Sequence, residues 1–250
     1  MRLRTCTPSS IVIVLLALAG CGTTTDRAAS PTPQPRPFTA AAPTPTAAPA
    51  RPVGRYLTAA LVRPTRLYEQ PGGRLLTKIR AKTEFGSQSI LGVLRRRGPW
   101  LEVVVSQLPN AHPGWIRARG TFVHGTDIEI RVDRSAHTAA LRDDGRTVIR
   151  FPVAVGRPGN ETPLGRYAVT DKLEPVDGTS PYGCCALALT GHQTQLEPGW
   201  PGGDRLAIHG TPATSSIGQA VSLGCMRAPE RALRKLMRRV PLGAPVVVRA

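Results

Sequence analysis

No apolar run in this 250-residue chain is long enough to cross a bilayer as an ordinary helix. The longest, Ile11 to Ala19, supplies about half of the required length. Acidic residues are also scarce: 16 Asp+Glu stand against 33 Lys+Arg, and the formal charge is +17. That excess calls for an anionic neighbour: nucleic acid, an acidic membrane surface or an acidic wall polymer. Gly and Pro contribute 25 residues each, and both interrupt helix interiors, which argues against a mainly helical protein. Hydrophobics at 41% and charged residues at 20% exclude a wholly disordered chain. The length suits one large or two small domains.

The apolar run follows Arg2 and Arg4 and closes on Leu18-Ala19-Gly20-Cys21. A basic start, a short apolar stretch and small residues form an export signal over residues 1–20. The closing residues resemble a bacterial lipobox, which implies that Cys21 is diacylated and becomes the first mature residue. Such a lipoprotein is membrane-anchored at the outer face of the cytoplasmic membrane, in the cell envelope. The alternative is an ordinary secretory signal with Cys21 incidental. Export on either reading removes nucleic acid as a partner. Residues 21–52 carry eight prolines between Pro31 and Pro52 and no apolar periodicity, as expected of an extended tether.

Cysteine is too sparse for a disulfide scaffold. Cys6 leaves with the signal and Cys21 is the lipidation candidate, so Cys184, Cys185 and Cys225 remain. Adjacent cysteines seldom bridge, and an odd thiol is left over. The remaining Cys and His positions also lack the usual spacing of zinc ligands.

Two β-rich pieces follow the tether. Over 53–122, short apolar segments alternate with turns: Leu57 to Val62, Leu67-Tyr68, Leu75 to Ile79, Ile90 to Leu94, Trp100 to Val105 and Trp115-Ile116. Gly98-Pro99-Trp100-Leu101-Glu102-Val103 followed by Gly114-Trp115-Ile116 resembles the end of a bacterial SH3-like β-barrel. Another small β-barrel with core tryptophans is the competing reading. This piece has 12 Lys+Arg and 3 Asp+Glu, including Arg95-Arg96-Arg97, so it alone carries +9. The arginine run is either a solvated loop or an anionic site.

Over 126–250, Ile128, Ile130 and Val132 alternate with polar residues as in a half-buried strand. Asp143-Asp144-Gly145 suits a hairpin turn. Further strands are expected at Val148 to Val155, Arg166 to Thr170, Ala186 to Thr190, Leu206 to His209 and Val246 to Arg249. A helix beginning near Ala228-Pro229-Glu230 has Leu233, Leu236, Met237 and Val240 on one stripe. The expected fold class is mainly β: a small barrel, then a second mostly β domain with one C-terminal amphipathic helix.

Chemistry concentrates in Ala207-Ile208-His209-Gly210-Thr211 and Ser222-Leu223-Gly224-Cys225-Met226-Arg227. A histidine ends an apolar strand, and a cysteine precedes a helix, whose dipole together with Arg227 favours thiolate. Imidazole and thiol in reach form a nucleophile pair, and the amides of Gly224 and Cys225 could hold an oxyanion. Gly210 and Gly224 would let a ligand approach the backbone. From spacing alone, a buried inert cysteine beside an unrelated histidine remains open.

These residues resemble the L,D-transpeptidase (YkuD-type) family of bacterial cell-wall enzymes, which implies that 126–250 is a β-sandwich domain. Its signature is a strand-end His-Gly pair and, about fifteen residues on, Ser-x-Gly-Cys-hydrophobic-Arg/Asn. Val155-Gly156, Thr162-Pro163-Leu164-Gly165-Arg166-Tyr167 and Tyr182-Gly183 extend the match over most of 126–250. Many members carry a second histidine where this chain has Leu223, which leaves His209 as the base. His112, His124, His137 and His192 have no motif around them and read as surface or core residues.

The resemblance implies that Cys225 attacks a peptidoglycan tetrapeptide stem and that His209 moves the proton. A thioester forms, and a neighbouring stem resolves it into a 3→3 cross-link. Ser222 and Arg227 then hold the loop or contact the donor stem; Gly210 and Tyr182 are further substrate-binding candidates. No cofactor or metal is implied. L,D-carboxypeptidase trimming and a non-catalytic wall-binding lipoprotein are the alternatives. Anionic wall polymers or lipid headgroups are the expected partners of the +9 piece. Cys184 and Cys185 would lie close to the substrate groove and are expected to pack, with redox trimming of a lid the alternative.

Overall fold

The computed structural model describes residues 54–175, 180–200 and 202–250. The signal, Cys21 and the tether lie outside the described residues. The protein is mainly β, with a single α-helix among the described residues.

The first seven strands are β1 Tyr56–Leu61, β2 Thr65–Tyr68, β3 Leu75–Ile79, β4 Ile90–Arg97, β5 Trp100–Val104, β6 Gly114–Arg117 and β7 Thr121–Thr126. They form one sheet in the order β3-β2-β6-β5-β4-β1-β7. Apolar side chains alternate with polar ones, so one face collects Leu67, Leu91, Leu101, Val103 and Ile116 into a core of its own. The sheet runs beyond the expected end at 122, because β7 pairs along the whole of β1, from Tyr56 opposite Thr126 to Leu61 opposite Thr121.

The second set comprises β8 Ile128–Asp133, β9 Thr138–Asp143, β10 Arg146–Pro152, β11 Val155–Gly156, β12 Gly165–Leu173, β13 Ala186–His192, β14 Arg205–His209, β15 Ala220–Ser222 and β16 Met226–Arg227. Helix α1, Glu230–Arg239, and β17, Pro245–Arg249, complete it. Eight strands form a sheet in the order β10-β9-β8-β17-β12-β13-β14-β16, while β11 pairs β15 separately. Phe151 near one edge and Met226 at the other share a single core cluster, so the sheet curls around it. The α1 stripe packs there as its spacing predicts: Leu233, Leu236 and Val240 are fully buried.

The expected hairpin forms at Asp144-Gly145, where both residues have positive φ (47° and 74°) as a tight two-residue turn requires. The single strand expected over Val148 to Val155 is instead two, β10 and β11, separated by Val153-Ala154. At the junction between the sheets Thr83 Oγ1 donates to Asp171 Oδ1 (2.5 Å). Asn110 exchanges two hydrogen bonds with the His192 backbone (2.6 and 2.9 Å). The His192 ring spans Ser106 O and Asp204 Oδ2 (2.7 and 2.9 Å). His192 is therefore a strut between the two pieces.

Candidate active site

Strands β14 and β16 run parallel, with Ile208 opposite Met226 and His209 opposite Arg227. Leu206, Ile208 and Met226 point into the core and are fully buried. Alternation sends Arg205, Ala207, His209, Cys225 and Arg227 to the other side, where they line one cavity of about 340 Å³. Its rim is apolar: Phe85, Tyr182, Leu196 and Trp200 line it and stay partly exposed. A volume of this size suits a peptide-sized ligand.

The cysteine loop is pinned by side chains rather than by a helix. Ser222 Oγ donates to Cys225 O (2.6 Å) and accepts the Gly224 N–H (3.1 Å). Thr162 Oγ1 donates to Gly224 O (2.7 Å) and accepts the Gly156 N–H (2.9 Å). The buried Gln193 carboxamide donates to Leu223 O (3.0 Å), to Asn160 O (3.0 Å) and to Glu161 O (3.3 Å). Thus the carbonyls of 223, 224 and 225 each have a donor, and the backbone before the thiol is fixed from both sides.

His209 is buried, and its Nδ1 lies 2.5 Å from Gly210 O. A carbonyl only accepts, so Nδ1 carries the proton and Nε2 is left as the basic nitrogen. Burial, aided by the nearby Arg227 charge and partly offset by Gly210 O, lowers the imidazole pKa to about 4. Burial also pushes the Cys225 thiol up, against opposing contributions from the Ala207 backbone and Arg227. The thiol's hydrogen-bond acceptor is the Arg205 carbonyl at 3.7 Å, not the imidazole. The resting pair is neutral thiol and neutral imidazole. Tyr182 meets His209 edge to face, with centroids 5.0 Å apart.

A neutral pair has a visible pH signature. Alkylation of Cys225 by iodoacetamide, followed by intact mass, should rise continuously toward alkaline pH. Burial penalises both charged forms, so no ion pair opens a low-pH plateau. A rate that levels off between about pH 5 and 7 would show a thiolate–imidazolium pair instead.

Four sequence expectations need correction. The helix dipole does not act on Cys225, because β16 intervenes and α1 begins only at Glu230. The first turn of that helix serves another group: Glu230 Oε1 accepts the Cys184 N–H (3.1 Å). Net stabilisation of thiolate is also absent, since burial outweighs Arg227. The Gly224 N–H is spent on Ser222 Oγ and is not a free oxyanion donor. Finally, at both glycines the space a side chain would take is filled by the protein itself. A Cβ on Gly210 would meet Cys184 N at 3.0 Å and Tyr182 O at 3.1 Å, and one on Gly224 would run into Gln193. Both positions are small because the protein itself packs there.

Ser222, buried at 2% exposure, lines the cavity with Arg227 and Tyr182, but its hydroxyl is engaged in the loop's internal bonding. Leu223 lines it as well. Cys185 joins the hydrophobic core, and burial beside Cys184 pushes its thiol up to about 12, which fits packing. Among the described residues no three His, Cys, Asp or Glu side chains converge to hold a metal.

Three contributors escaped the sequence. Gln193 and Thr162 hold the loop. The third is the segment Thr83–Ser87 of the first piece: Phe85 lines the cavity, and Glu84 pairs with Arg205, whose carbonyl takes the Cys225 thiol. Thr162 lies within a stretch that matched the family, but nothing in the sequence marks Gln193 or Glu84.

Residues 127–248 match the family model of the L,D-transpeptidase catalytic domain, YkuD. The chain is 33% identical over 119 residues to the YkuD protein of Bacillus licheniformis, which bears the L,D-transpeptidase name, covering 48% of this chain and 64% of that protein. Its Bacillus subtilis counterpart is 30% identical over 119 residues, with the same coverage. The chain thus spans about 64% of the length of these curated relatives. Among solved structures, an L,D-transpeptidase from Mycobacterium smegmatis is 17% identical with a TM-score of 0.44, covering 65% of this chain and 91% of that one. For residues 127–248, sequence similarity supports the YkuD-type L,D-transpeptidase catalytic-domain family.

Proposed function

We propose that the protein is a peptidoglycan L,D-transpeptidase that uses Cys225 as nucleophile and His209 as proton carrier. The observation that carries this reading is the shared cavity: a half-buried thiol, a neutral imidazole with its Nε2 unprotonated, and Arg227 line one apolar cleft. As sulfur attacks the carbonyl of the third stem residue, its proton passes to Nε2. The tetrahedral oxyanion takes the Cys225 N–H, since the neighbouring Gly224 amide is spent. Collapse breaks the peptide bond, and Nε2 returns the proton to the departing D-alanine amine. The thioester is then attacked by the side-chain amine of a second stem. The amine's proton goes through Nε2 to the restored thiol, and a 3→3 cross-link results.

The chemistry fits an exported chain. The lipobox-like Leu18-Ala19-Gly20-Cys21 and the proline-rich tether support an enzyme held at the outer face of the cytoplasmic membrane. The test is intact mass spectrometry with a defined disaccharide tetrapeptide. The expected results are an adduct on Cys225 equal to the stem less D-alanine, and a cross-linked dimer in solution. Release of D-alanine with only trimmed stem would assign a carboxypeptidase. Absence of both the adduct and D-alanine release would refute the enzymatic reading.

A further inference from the structure

The two faces of the first sheet differ in character. Side chains alternate along each strand, and the core takes Leu67, Leu101, Val103 and Ile116. The intervening positions stand on the opposite face, where strand register aligns them in rows. One row runs Tyr68, Trp115, Glu102, Arg95. The next runs Arg117, Trp100, Arg97, and on the neighbouring strands Arg66 stands opposite Lys78.

Charge on this face is unbalanced. The piece has only three acidic residues, and each is already engaged: Glu69 by Arg74, Glu102 by Arg95 and Glu84 by Arg205. Arg66, Lys78, Arg97 and Arg117 are exposed, and none has an ion-pair partner among the described residues. Arg117 lies over the Trp100 ring at 4.3 Å and Arg95 over Trp115 at 5.3 Å. The Arg95 N–H edge is taken by Glu102, whereas Arg117, over its indole, has no acidic partner among the described residues and keeps its N–H groups free to donate. The indoles beneath are covered, at 8% and 6% exposure. They are not available as interfacial anchors of the kind a bilayer surface recruits.

We propose that this face binds an extended polyanion with phosphodiester groups repeated along its backbone. Four unpaired cations spread over four strands, with no pocket gathering them, require a ligand that is long and charged at intervals. Guanidinium forks match tetrahedral phosphate oxygens, and the only carboxylate on the face is already held by Arg95 through both oxygens. The face is separate from the Cys225 cavity, whose lining includes none of these residues.

The experiment measures binding of fluorescent poly(glycerol phosphate) to the full-length protein by anisotropy at 50 and 200 mM salt, with the triple variant Arg66→Ser, Lys78→Ser, Arg97→Ser alongside. Wild-type affinity should fall roughly tenfold or more across that range, because phosphate contacts release counterions. The variant should lose roughly tenfold at the lower salt and show a flatter dependence. Its Cys225 alkylation rate should not change, which separates this outcome from damage to the fold. Retained affinity in the variant, or salt-independent binding by the wild type, would overturn the proposal. Equally tight binding to phosphatidylglycerol vesicles or to polygalacturonate at matched charge would also overturn it, by reassigning the face to a membrane or to carboxylates.

Discussion

Cys225→Ala should eliminate thioester formation altogether, and His209→Gln should slow it by about 10²- to 10⁴-fold. The two losses have different origins. Alanine removes the only thiol that lines the cavity among the described residues, and Cys184 and Cys185 do not line it. Glutamine preserves a hydrogen-bonding side chain but has no nitrogen able to take a proton. At neutral pH the thiol is un-ionised because burial pushes it up, so attack depends on a base at the moment of reaction. Raising the pH should partly rescue His209→Gln, since hydroxide can ionise the thiol without an imidazole. It should do nothing for Cys225→Ala. The double variant should be no worse than Cys225→Ala alone, because the two groups act as one unit. Stopped-flow acylation by a carbapenem, read by absorbance and confirmed by intact mass, measures all three. An acylated alanine variant would show that another nucleophile does the work.

The legible part of this site was the part carried by residue identity. Ile208-His209-Gly210 and Ser222-Leu223-Gly224-Cys225 announce a strand end and a tight loop through apolar alternation and glycine, and β14 and β15–β16 form there. The α1 stripe was legible for the same reason: its spacing obeys the helical period. Illegible was whatever depends on the burial of a single atom. A cysteine beside an arginine and ahead of a helix suggests thiolate, but a short strand comes between and the cavity wall desolvates sulfur. Gln193 lies 32 positions from Cys225 and has no periodic or motif signature, yet its carboxamide reaches three carbonyls. The contribution of Glu84 and Phe85 was hidden because it crosses from one sheet to the other. The two sheets have separate core clusters, yet nothing in the sequence hinted that a loop of the first walls the cavity beside the second.

Gly224→Ala should be among the most damaging single-methyl changes available to this chain. Gly224 has φ +119°, a region L residues avoid, so alanine there costs about 1–3 kcal/mol in backbone strain alone. The new Cβ would also run into the Gln193 carboxamide, lying 3.0 Å from its Cδ and closer still to its Nε2. That side chain is buried and cannot swing away freely. Moving it releases its bonds to Leu223 O, Asn160 O and Glu161 O, each contributing about 0.5–1.5 kcal/mol net. A loss of roughly 3–5 kcal/mol in urea unfolding is therefore expected, drawn from strain and broken bonds together. Acylation of whatever folds should fall by about 10²-fold, because the displaced loop misplaces sulfur relative to His209. A double-mutant cycle separates the causes. Gln193→Ala alone forfeits the hydrogen bonds, but it also clears the space that the alanine methyl needs. Gly224→Ala with Gln193→Ala should therefore be less destabilised than the sum of the singles, by about 1–2 kcal/mol of coupling. Strict additivity would mean that backbone strain at Gly224, not contact with Gln193, accounts for the whole effect. Coupling of the expected sign would establish Gln193 as the residue around which the cysteine loop is built.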